Sequence, residues 1–594
     1  MSGVDLLESY TALSSLSSRT VVLQSIINAP PFTFNNDTRK TLIDTILRDL
    51  KTTSKHGTSN GRLSSKDAAQ ALLAVKTLGK NPSGSETLAT ASTLSALLGL
   101  SISLKDDPEA SSEALRCIAN TMLLFEHARG TFIGKDVGGG ETCVGMLDKS
   151  TTPDQVFILS RILFLATVPG PSWIVSLVED HNHKRRGIVD IIASKLDAML
   201  VAIQAGTKLG REAMADLLKF TFNLLLHYPK MVDAEPQTPQ AGDGQKAMGD
   251  FWSPNLDGLL PSLLRTFYSL PPTFPSPLVS PLTHVIHALI TIPISSSLKL
   301  IWLGPSTPER RSSSNSSSPK MSTSSGGDSP VLSQTPPKSS TLDRALSVLS
   351  VAGRRSLSRS PSPNTATPQD ILLRAHDLLE VSFSHYFPGS IDPDDSSVRE
   401  RPKKEQLDGS LDDIISPLIV LITRLCLADA TSRGRLREWI VPPDLDRSAP
   451  LEGRSDMLGR CLRLMGSVYH PRLKDSVGEM LFAMSDSDAR ILSSLVGYGN
   501  VAGFLFNKGI MSAPPPPGGE DPSSSTEPVA PDGKVINPIT GNTMEKPDLP
   551  DMTEEEKEQE MEKLFVLFDR LEKSGALPKS QNPIRKAMEK AASQ

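Results

Sequence analysis

The sequence has few cysteines and few aromatic residues, and both shortages narrow the classes of protein to consider. The four cysteines, Cys117, Cys143, Cys426 and Cys461, form no CxxC pair and no close cluster with histidine. This pattern indicates a reducing compartment and no structural zinc. Aromatic residues make up 5% of the chain, which favours packing of helix on helix over a sheet sandwich.

The chain also lacks an excess of one charge sign and a long apolar run. Its 62 Lys and Arg residues nearly balance 67 Asp and Glu residues, so there is no global basic field to attract nucleic acid. No segment approaches the roughly 18 uninterrupted apolar residues of a membrane span, and the N-terminus has no signal-like pattern. We therefore expect no direct membrane insertion, a cytoplasmic protein and a protein partner. A separate expectation is recruitment to the cell cortex.

Apolar residues recur at helical spacing over residues 1–303 and again over 369–511. Many of these segments are apolar on more than one face, so neighbouring segments must cover them. The last segment, 488–511, continues the periodicity through "GYGNVAGFL". The pattern predicts an all-α fold, an armadillo/HEAT-like superhelix of stacked helical repeats formed by both regions.

Two of the segments share a short pattern, "EALRCIANTMLL" at 113–124 and "DLLKFTFNLLLH" at 216–227. Each has a basic residue four positions before an asparagine: Arg116 precedes Asn120, and Lys219 precedes Asn223. Residues four apart share a helix face. A polar pair that recurs in otherwise apolar helices is typical of a solenoid with such pairs along one surface.

Two stretches interrupt the helical pattern. Residues 304–368 are too rich in Ser, Pro and Gly to bury a core, and we expect a disordered insertion. The simpler interpretation is a tolerated surface insertion; the alternative is a phosphoregulated loop, with Ser356, Ser360 and Ser362 as candidate sites. Residues 512–551 are similarly rich in Pro, Gly and Ser, and are predicted to be a flexible linker.

Ser410, in "DGSLDDI", has two interpretations. It can be a helix N-cap, with Asp413 three residues later as the acid of a capping box. It can also be the substrate of an acid-directed kinase, because Asp412 and Asp413 follow it. Local structure favours the cap, and a phosphate would compete for the same hydroxyl.

Motifs for covalent chemistry are missing. There is no GxSxG elbow, HExxH helix or kinase signature, and "DVGGGETC" lacks the Lys-Ser/Thr of a phosphate loop. The pair His181 and His183 has no third ligand at a recognisable spacing. We expect no catalytic residue, no metal site and no cofactor, so an enzyme is the third choice among function classes.

The segment 552–575 reads as a complete amphipathic helix in a C-terminal tail, 552–594. Thr553 and Glu556 form a predicted capping box, and the apolar stripe includes Leu564, Phe565, Phe568 and Leu571. Such an apolar stripe is unfavourable in water and must pack against another surface. The helix either caps the last repeat of its own solenoid or lays its stripe on a bound partner, and spacing alone leaves both open.

The tail motif "MTEEEKEQEMEKLFVLFDRLEKSG", the following "NPIRKAME" and "GYGNVAGFL" closely resemble the synembryn family, also called resistance to inhibitors of cholinesterase. The similarity extends more diffusely through "DAAQALLAVKTLGK", "EALRCIAN" and "LLKFTFN". These proteins are non-receptor exchange factors and folding chaperones for heterotrimeric G-protein α subunits. The resemblance therefore implies exchange of GDP for GTP by binding, without covalent chemistry.

The resemblance also implies the place of partner binding on the superhelix, which we expect to be a monomer. Its concave face would hold the C-terminal helix of an α subunit, GDP-bound or nucleotide-free. The residues implied on that face are the basic Lys76 and Lys80, the asparagines Asn120 and Asn223, and their companions Arg116 and Lys219. In the tail, Leu564, Phe565, Phe568 and Leu571 would contact the switch region of the α subunit or the last repeat.

This chain departs from the family pattern in its Ser/Pro insertion and in having lysine where arginine is usual. The second departure weakens the case for bidentate recognition of a carboxylate. The rival function is a passive helical-repeat adaptor or scaffold that has no effect on nucleotide.

Overall fold

The computed structural model describes residues 2–13, 16–30, 32–56, 62–168, 171–179, 186–232, 251–304, 370–407, 409–510, 534 and 536–543. The chain forms two compact units. The first comprises Met1–Pro516 and Pro538–Gly541, and the second Pro517–Asn537 and Asn542–Gln594. All described helices belong to the first unit, and the described part of the second contains an isolated antiparallel bridge between Ile536 and Thr543.

Twenty-three α-helices lie in the described ranges. They are α1 Gly3–Thr11, α2 Leu16–Asn28, α3 Asn36–His56, α4 Ala68–Leu78, α5 Ala91–Ser103, α6 Pro108–Leu124, α7 Glu126–Ile133, α8 Gly139–Lys149, α9 Pro153–Thr167, α10 Pro171–Glu179, α11 Ile188–Gln204, α12 Gly210–Met231, α13 Leu259–Ser269, α14 Leu282–Ile290, α15 Lys299–Leu303, α16 Ile371–Tyr386, α17 Ser396–Lys404, α18 Leu411–Ala428, α19 Ala430–Ile440, α20 Met457–Gly466, α21 Pro471–Met484, α22 Ala489–Val496 and α23 Tyr498–Asn507. Short 3₁₀ turns occur at Ser65–Asp67, Glu86–Ala89, Pro254–Leu256 and Leu451–Gly453.

Local sequence explains where the central helices begin. The Asp107 carboxylate accepts a hydrogen bond from the Ala110 N–H at 3.0 Å, and Pro108 occupies the first position of α6. The Thr152 hydroxyl accepts one from the Gln155 N–H at 3.4 Å before α9, which also begins with a proline. A capping side chain followed by proline satisfies or removes amide donors that have no partner inside the helix.

The helices pack in two rows. In the first row, α2, α4, α6, α9, α12, α14, α18 and α21 each contact the next member. In the second row, each member likewise contacts the next, and each also covers a first-row helix; these helices are α3, α5, α7, α8, α11, α13, α16 and α20. The contacts α14 with α18 and α13 with α16 join helices on either side of residues 305–369. The predicted all-α helical-repeat class is confirmed.

The first row accounts for the helices that are apolar on more than one face. On α9, Ile158, Leu159, Ile162 and Leu163 are all buried, because α6, α8 and α12 surround this helix. Such a helix is stable only when its neighbours are present, which is the rule for helical-repeat proteins.

The segment 488–511 has one continuous apolar period in the sequence but forms two helices in the structure. The structure divides it into α22 and α23 at Gly497, whose φ of +85° is a left-handed conformation that favours glycine. The apolar period continues on both sides of this break, so periodicity alone does not reveal it.

Candidate partner-binding site

A network of ion pairs joins three helices of the first row. Glu113 of α6 pairs with Lys76 of α4, with 2.5 Å between Oε2 and Nζ, and with Arg116, with 2.8 Å between Oε1 and Nη1. Arg116 also pairs with Asp154 in the first turn of α9. These contacts tie α4, α6 and α9 together.

The same arrangement recurs between α9 and α12. Asp216 of α12 pairs with Lys219, with 3.3 Å between Oδ1 and Nζ, and with Arg161 of α9, with 2.7 Å between Oδ2 and Nε. In both copies an acid precedes the base by three residues and the asparagine by seven. The recurrent motif is therefore longer than the basic residue and asparagine recognised in the sequence, and its acid three residues before each base was the signal that sequence reasoning missed.

These ion pairs determine which charges the surface offers. The Asp216 side chain is only 3% exposed, whereas its cations Arg161 and Lys219 are 44% and 37% exposed. A nearly buried carboxylate needs its cations, because leaving it unpaired costs several kcal/mol. Lys76, Arg116 and Lys219 are thus held by acids of the protein itself, and a partner's carboxylate must compete with those acids.

The two asparagines of the recurrent motif have different surroundings. Asn223 is buried, and its Nδ2 donates to the Thr167 hydroxyl at 2.8 Å and to the Phe164 carbonyl at 3.4 Å, which joins α12 to α9. The side chain of Asn120 is half-buried and forms no hydrogen bond with another described residue. The structure therefore leaves the amide of Asn120 open to a partner and uses that of Asn223 internally.

An apolar patch continues from Asn120 along α6. Leu123 and Leu124 lie three and four residues further on, hence on the same helix face, and are 59% and 39% exposed. Lys80 is also exposed, two residues beyond the end of α4. An open amide and two exposed leucines on one helix face suit an amphipathic segment better than a small polar ligand.

The other predicted site residues fall into two groups. Leu564, Phe565, Phe568 and Leu571 of the tail, and Ser356, Ser360 and Ser362 of the insertion, lie outside the described residues, as does the pair His181 and His183. Ser410 is described, and its capping box is confirmed. The Asp413 N–H donates to the Ser410 hydroxyl at 3.2 Å, and the Ser410 N–H donates back to the Asp413 carboxylate at 3.3 Å.

Within the ranges that the structure covers, no group of three or more His, Cys, Asp or Glu side chains is placed to hold a metal ion. In those ranges no helix is both long and apolar enough to cross a membrane.

The fold and this surface define a class, a helical-repeat protein that presents a patterned polar and apolar face along one row of helices. Residues 71–592 match the family described as guanine nucleotide exchange factor synembryn. The match covers most of the chain, and the protein belongs to this family.

Curated relatives agree with the family match. The chain is 31% identical over 179 residues to Chaperone Ric-8A of Macaca fascicularis and 33% identical over 166 residues to Chaperone Ric-8A of Rattus norvegicus. It is 28% identical over 185 residues to Chaperone Ric-8 of Drosophila pseudoobscura pseudoobscura. These alignments cover 29%, 27% and 30% of this chain, and only 33%, 31% and 32% of the respective relatives. The chain thus spans about a third of the length of the curated relatives it matches.

The contrast between the two asparagines gives a stability prediction. Asn223→Ala should lower the free energy of unfolding by about 1 to 3 kcal/mol, because the buried Thr167 hydroxyl loses the donor that joins it to α12. Asn120→Ala, the matched control, should change it by less than about 0.5 kcal/mol. Urea denaturation followed by circular dichroism measures both, and equal losses would contradict the assignment.

The capping box gives a second prediction. Ser410→Ala should destabilise the protein by about 1 kcal/mol, whereas Ser396→Ala, an exposed serine inside the first turn of α17, should have little effect. The hydrogen bond from Ser410 holds the pKa of Asp413 below its ordinary value of 3.8. A carboxylate with a lowered pKa stabilises the fold above that pH range. The difference between wild type and Ser410→Ala should therefore shrink as the pH falls below 3.8, and a difference that grows on acidification would refute the capping account.

Proposed function

We propose that this protein is a guanine nucleotide exchange factor and folding chaperone for heterotrimeric G-protein α subunits. The observation that carries the proposal is the family match over residues 71–592. The partner is an α subunit in its GDP-bound or nucleotide-free form, and the protein acts as a cytoplasmic monomer, recruited to the cell cortex where its partner lies.

The first row supplies the grip on the C-terminal helix of the α subunit. The open amide of Asn120 and the exposed Leu123 and Leu124 offer one polar and two apolar contacts on α6. A helix laid into a groove is recognised through such anchors at successive turns. Lys80 adds a cation that no described acid holds, which supports attraction of an acidic position on the helix.

The paired cations have a conditional role. Lys76, Arg116 and Lys219 contact the partner by exchanging one of their own carboxylates for a carboxylate of the α subunit. Such an exchange keeps the number of ion pairs nearly constant. It therefore contributes to specificity for the partner more than to affinity. Asn223 supports the face by fixing α12 against α9.

Exchange follows from a difference in affinity between two states of the partner. Binding favours the nucleotide-free α subunit over the GDP form, and linkage requires GDP to weaken the complex by the same factor. Withdrawing the C-terminal helix from its seat opens the nucleotide site, because this helix leads to the guanine-binding loop. GTP ends the cycle by stabilising the closed form. No covalent step and no cofactor is needed.

Chaperone activity uses the same grip. An α subunit that has not yet acquired nucleotide has the open conformation that the protein binds, so the complex protects it until GTP arrives. Exchange activity and chaperone activity therefore depend on the same preference for the nucleotide-free state of the α subunit.

The proposed organisation assigns a task to each segment. Residues 1–303 and 369–511 form one binding scaffold, 304–368 is a peripheral insertion, and 512–551 links the scaffold to the tail, 552–594. In the tail, Leu564, Phe565, Phe568 and Leu571 form the stripe that contacts the α subunit. Two contact regions on one chain raise the affinity through effective concentration.

The alternative is a passive adaptor, and the helical-repeat fold favours it as well, since such scaffolds bind partners without changing them. The two functions differ in one observable. An adaptor binds the GDP form and the nucleotide-free form equally and leaves the rate of GDP release unchanged.

The tail stripe gives a test by exchange kinetics. The purified protein should accelerate GDP release from a cognate α subunit, and the double variant Phe565→Ala/Phe568→Ala should lose at least about tenfold of the acceleration, because two aromatic anchors of a contact surface are removed. Phe32→Ala/Phe274→Ala is the control, since these phenylalanines are 96% and 70% exposed. Release of labelled GDP measures the rate, and no acceleration by the wild type sinks the exchange proposal.

The α6 face gives a test by peptide binding. Asn120→Ala/Leu123→Ala should weaken binding of a peptide that contains the C-terminal helix of the α subunit by about tenfold or more, because an amide contact and an apolar contact are lost. Val201→Ala is the control, a 66% exposed apolar residue of the second-row helix α11. Fluorescence anisotropy of a labelled peptide measures the affinity. Equal affinity of wild type and double variant would place the peptide elsewhere.

A further inference from the structure

A short turn from within the predicted linker 512–551 packs against the start of α23. The Tyr498 N–H donates to the Pro538 carbonyl, and the Gly499 N–H donates to the Ile539 carbonyl, both at 2.8 Å. Among the residues that the structure describes, no side chain caps the N-terminus of α23. The two carbonyls therefore satisfy two of the amide donors that a helix leaves open at its first turn.

Arg447 holds the same turn from another side. This arginine is only 8% exposed, and its guanidinium donates to the Gly541 carbonyl at 2.7 Å and to the Leu495 carbonyl at 2.8 Å. Burial lowers the pKa of Arg447, as expected for a cation removed from water. A buried guanidinium that loses a carbonyl partner is costly, so Arg447 favours the packed turn.

Two glycines make the close approach possible. Gly497 and Gly541 have φ values of +85° and +75°, and each faces the other segment. A Cβ at Gly497 would lie 2.4 Å from the Thr540 carbonyl carbon, and one at Gly541 would lie 2.8 Å from the Val496 backbone. Any side chain at either position would push the turn away.

We propose that Pro538–Gly541 is an anchor that fixes the linker to the start of α23, so that the tail is tethered from this point. The role of the anchor in partner binding rests on the proposed function, since it requires that the tail and the first row bind the same α subunit. Arg447, Gly497 and Gly541 are then positioning residues, which act through the tail and do not touch the partner.

The anchor shortens the tether that precedes the tail, and the change in length predicts the change in the effective concentration of the tail. The predicted linker 512–551 has 40 residues, of which only 542–551, ten residues, follow the anchor. The effective concentration of a tethered group falls roughly as the −3/2 power of tether length. A fourfold shorter flexible tether therefore raises the effective concentration of the tail about eightfold.

Gly541→Val tests the anchor, because a β-branched side chain is unfavourable at positive φ and meets the Val496 backbone. Gly509→Val is a matched control. Its φ is +76°, but a Cβ there would meet nothing within 4 Å. Hydrogen exchange should be faster at the Tyr498 and Gly499 amides in Gly541→Val than in wild type or Gly509→Val. Equal exchange in all three proteins would overturn the anchor.

The second measurement is the affinity for a nucleotide-free α subunit. Gly541→Val should bind about eightfold more weakly than Gly509→Val, and the difference should vanish when both variants end at residue 551. A variant with Gly-Ser-Gly-Ser in place of Pro538–Gly541 should behave as Gly541→Val does, which guards against a folding defect specific to valine. Faster amide exchange with unchanged affinity would overturn the tethering role, whereas failure of the wild type to bind any α subunit would instead refute the proposed function.

Discussion

The structure depends on the burial of the first-row helices between their neighbours. α6, α9 and α12 are apolar on more than one face, and residues such as Leu163 and Leu224 have no exposed surface. A helix of this kind has no stable place except inside a row, so each repeat needs the one before and the one after. The same requirement brings together helices on either side of residues 305–369, where α14 packs on α18 and α13 on α16.

Packing of the first-row helices also determines which of their polar side chains remain available to a partner. Two polar side chains of α12 are paired inside the packed row: Asp216 with Arg161 and Lys219, and Asn223 with Thr167. The open groups on α6 lie on its exposed face, namely the amide of Asn120 and the side chains of Leu123 and Leu124. Where the open groups are one amide and two leucines, shape and apolar contact contribute more to partner selection than electrostatic attraction does. That property fits the capture of a helix.

Much of this was predictable from the sequence, because helical periodicity, capping residues and breaker runs are local signals. The all-α repeat class and the capping box at Ser410 follow from such signals. The acids Glu113 and Asp216 are visible in the sequence, three residues before the basic residue of each motif. Their pairing with Lys76 and Arg161 cannot be read from the sequence, because it depends on how the helices stack. The break at Gly497 and the turn packed on it are tertiary effects: a glycine inside an apolar period shows its conformation only once its neighbour in space is known.

The proposed function rests on one thermodynamic preference, in which two contact regions on one chain bind an α subunit more tightly when it has no nucleotide. Linkage makes this preference measurable without any kinetic assay. The most direct measurement is the affinity of the full chain for a cognate α subunit at increasing GDP concentration, by isothermal titration calorimetry. The account predicts that the apparent Kd rises with GDP over the range in which GDP occupies the α subunit. An apparent Kd that stays constant while GDP saturates the α subunit would contradict it.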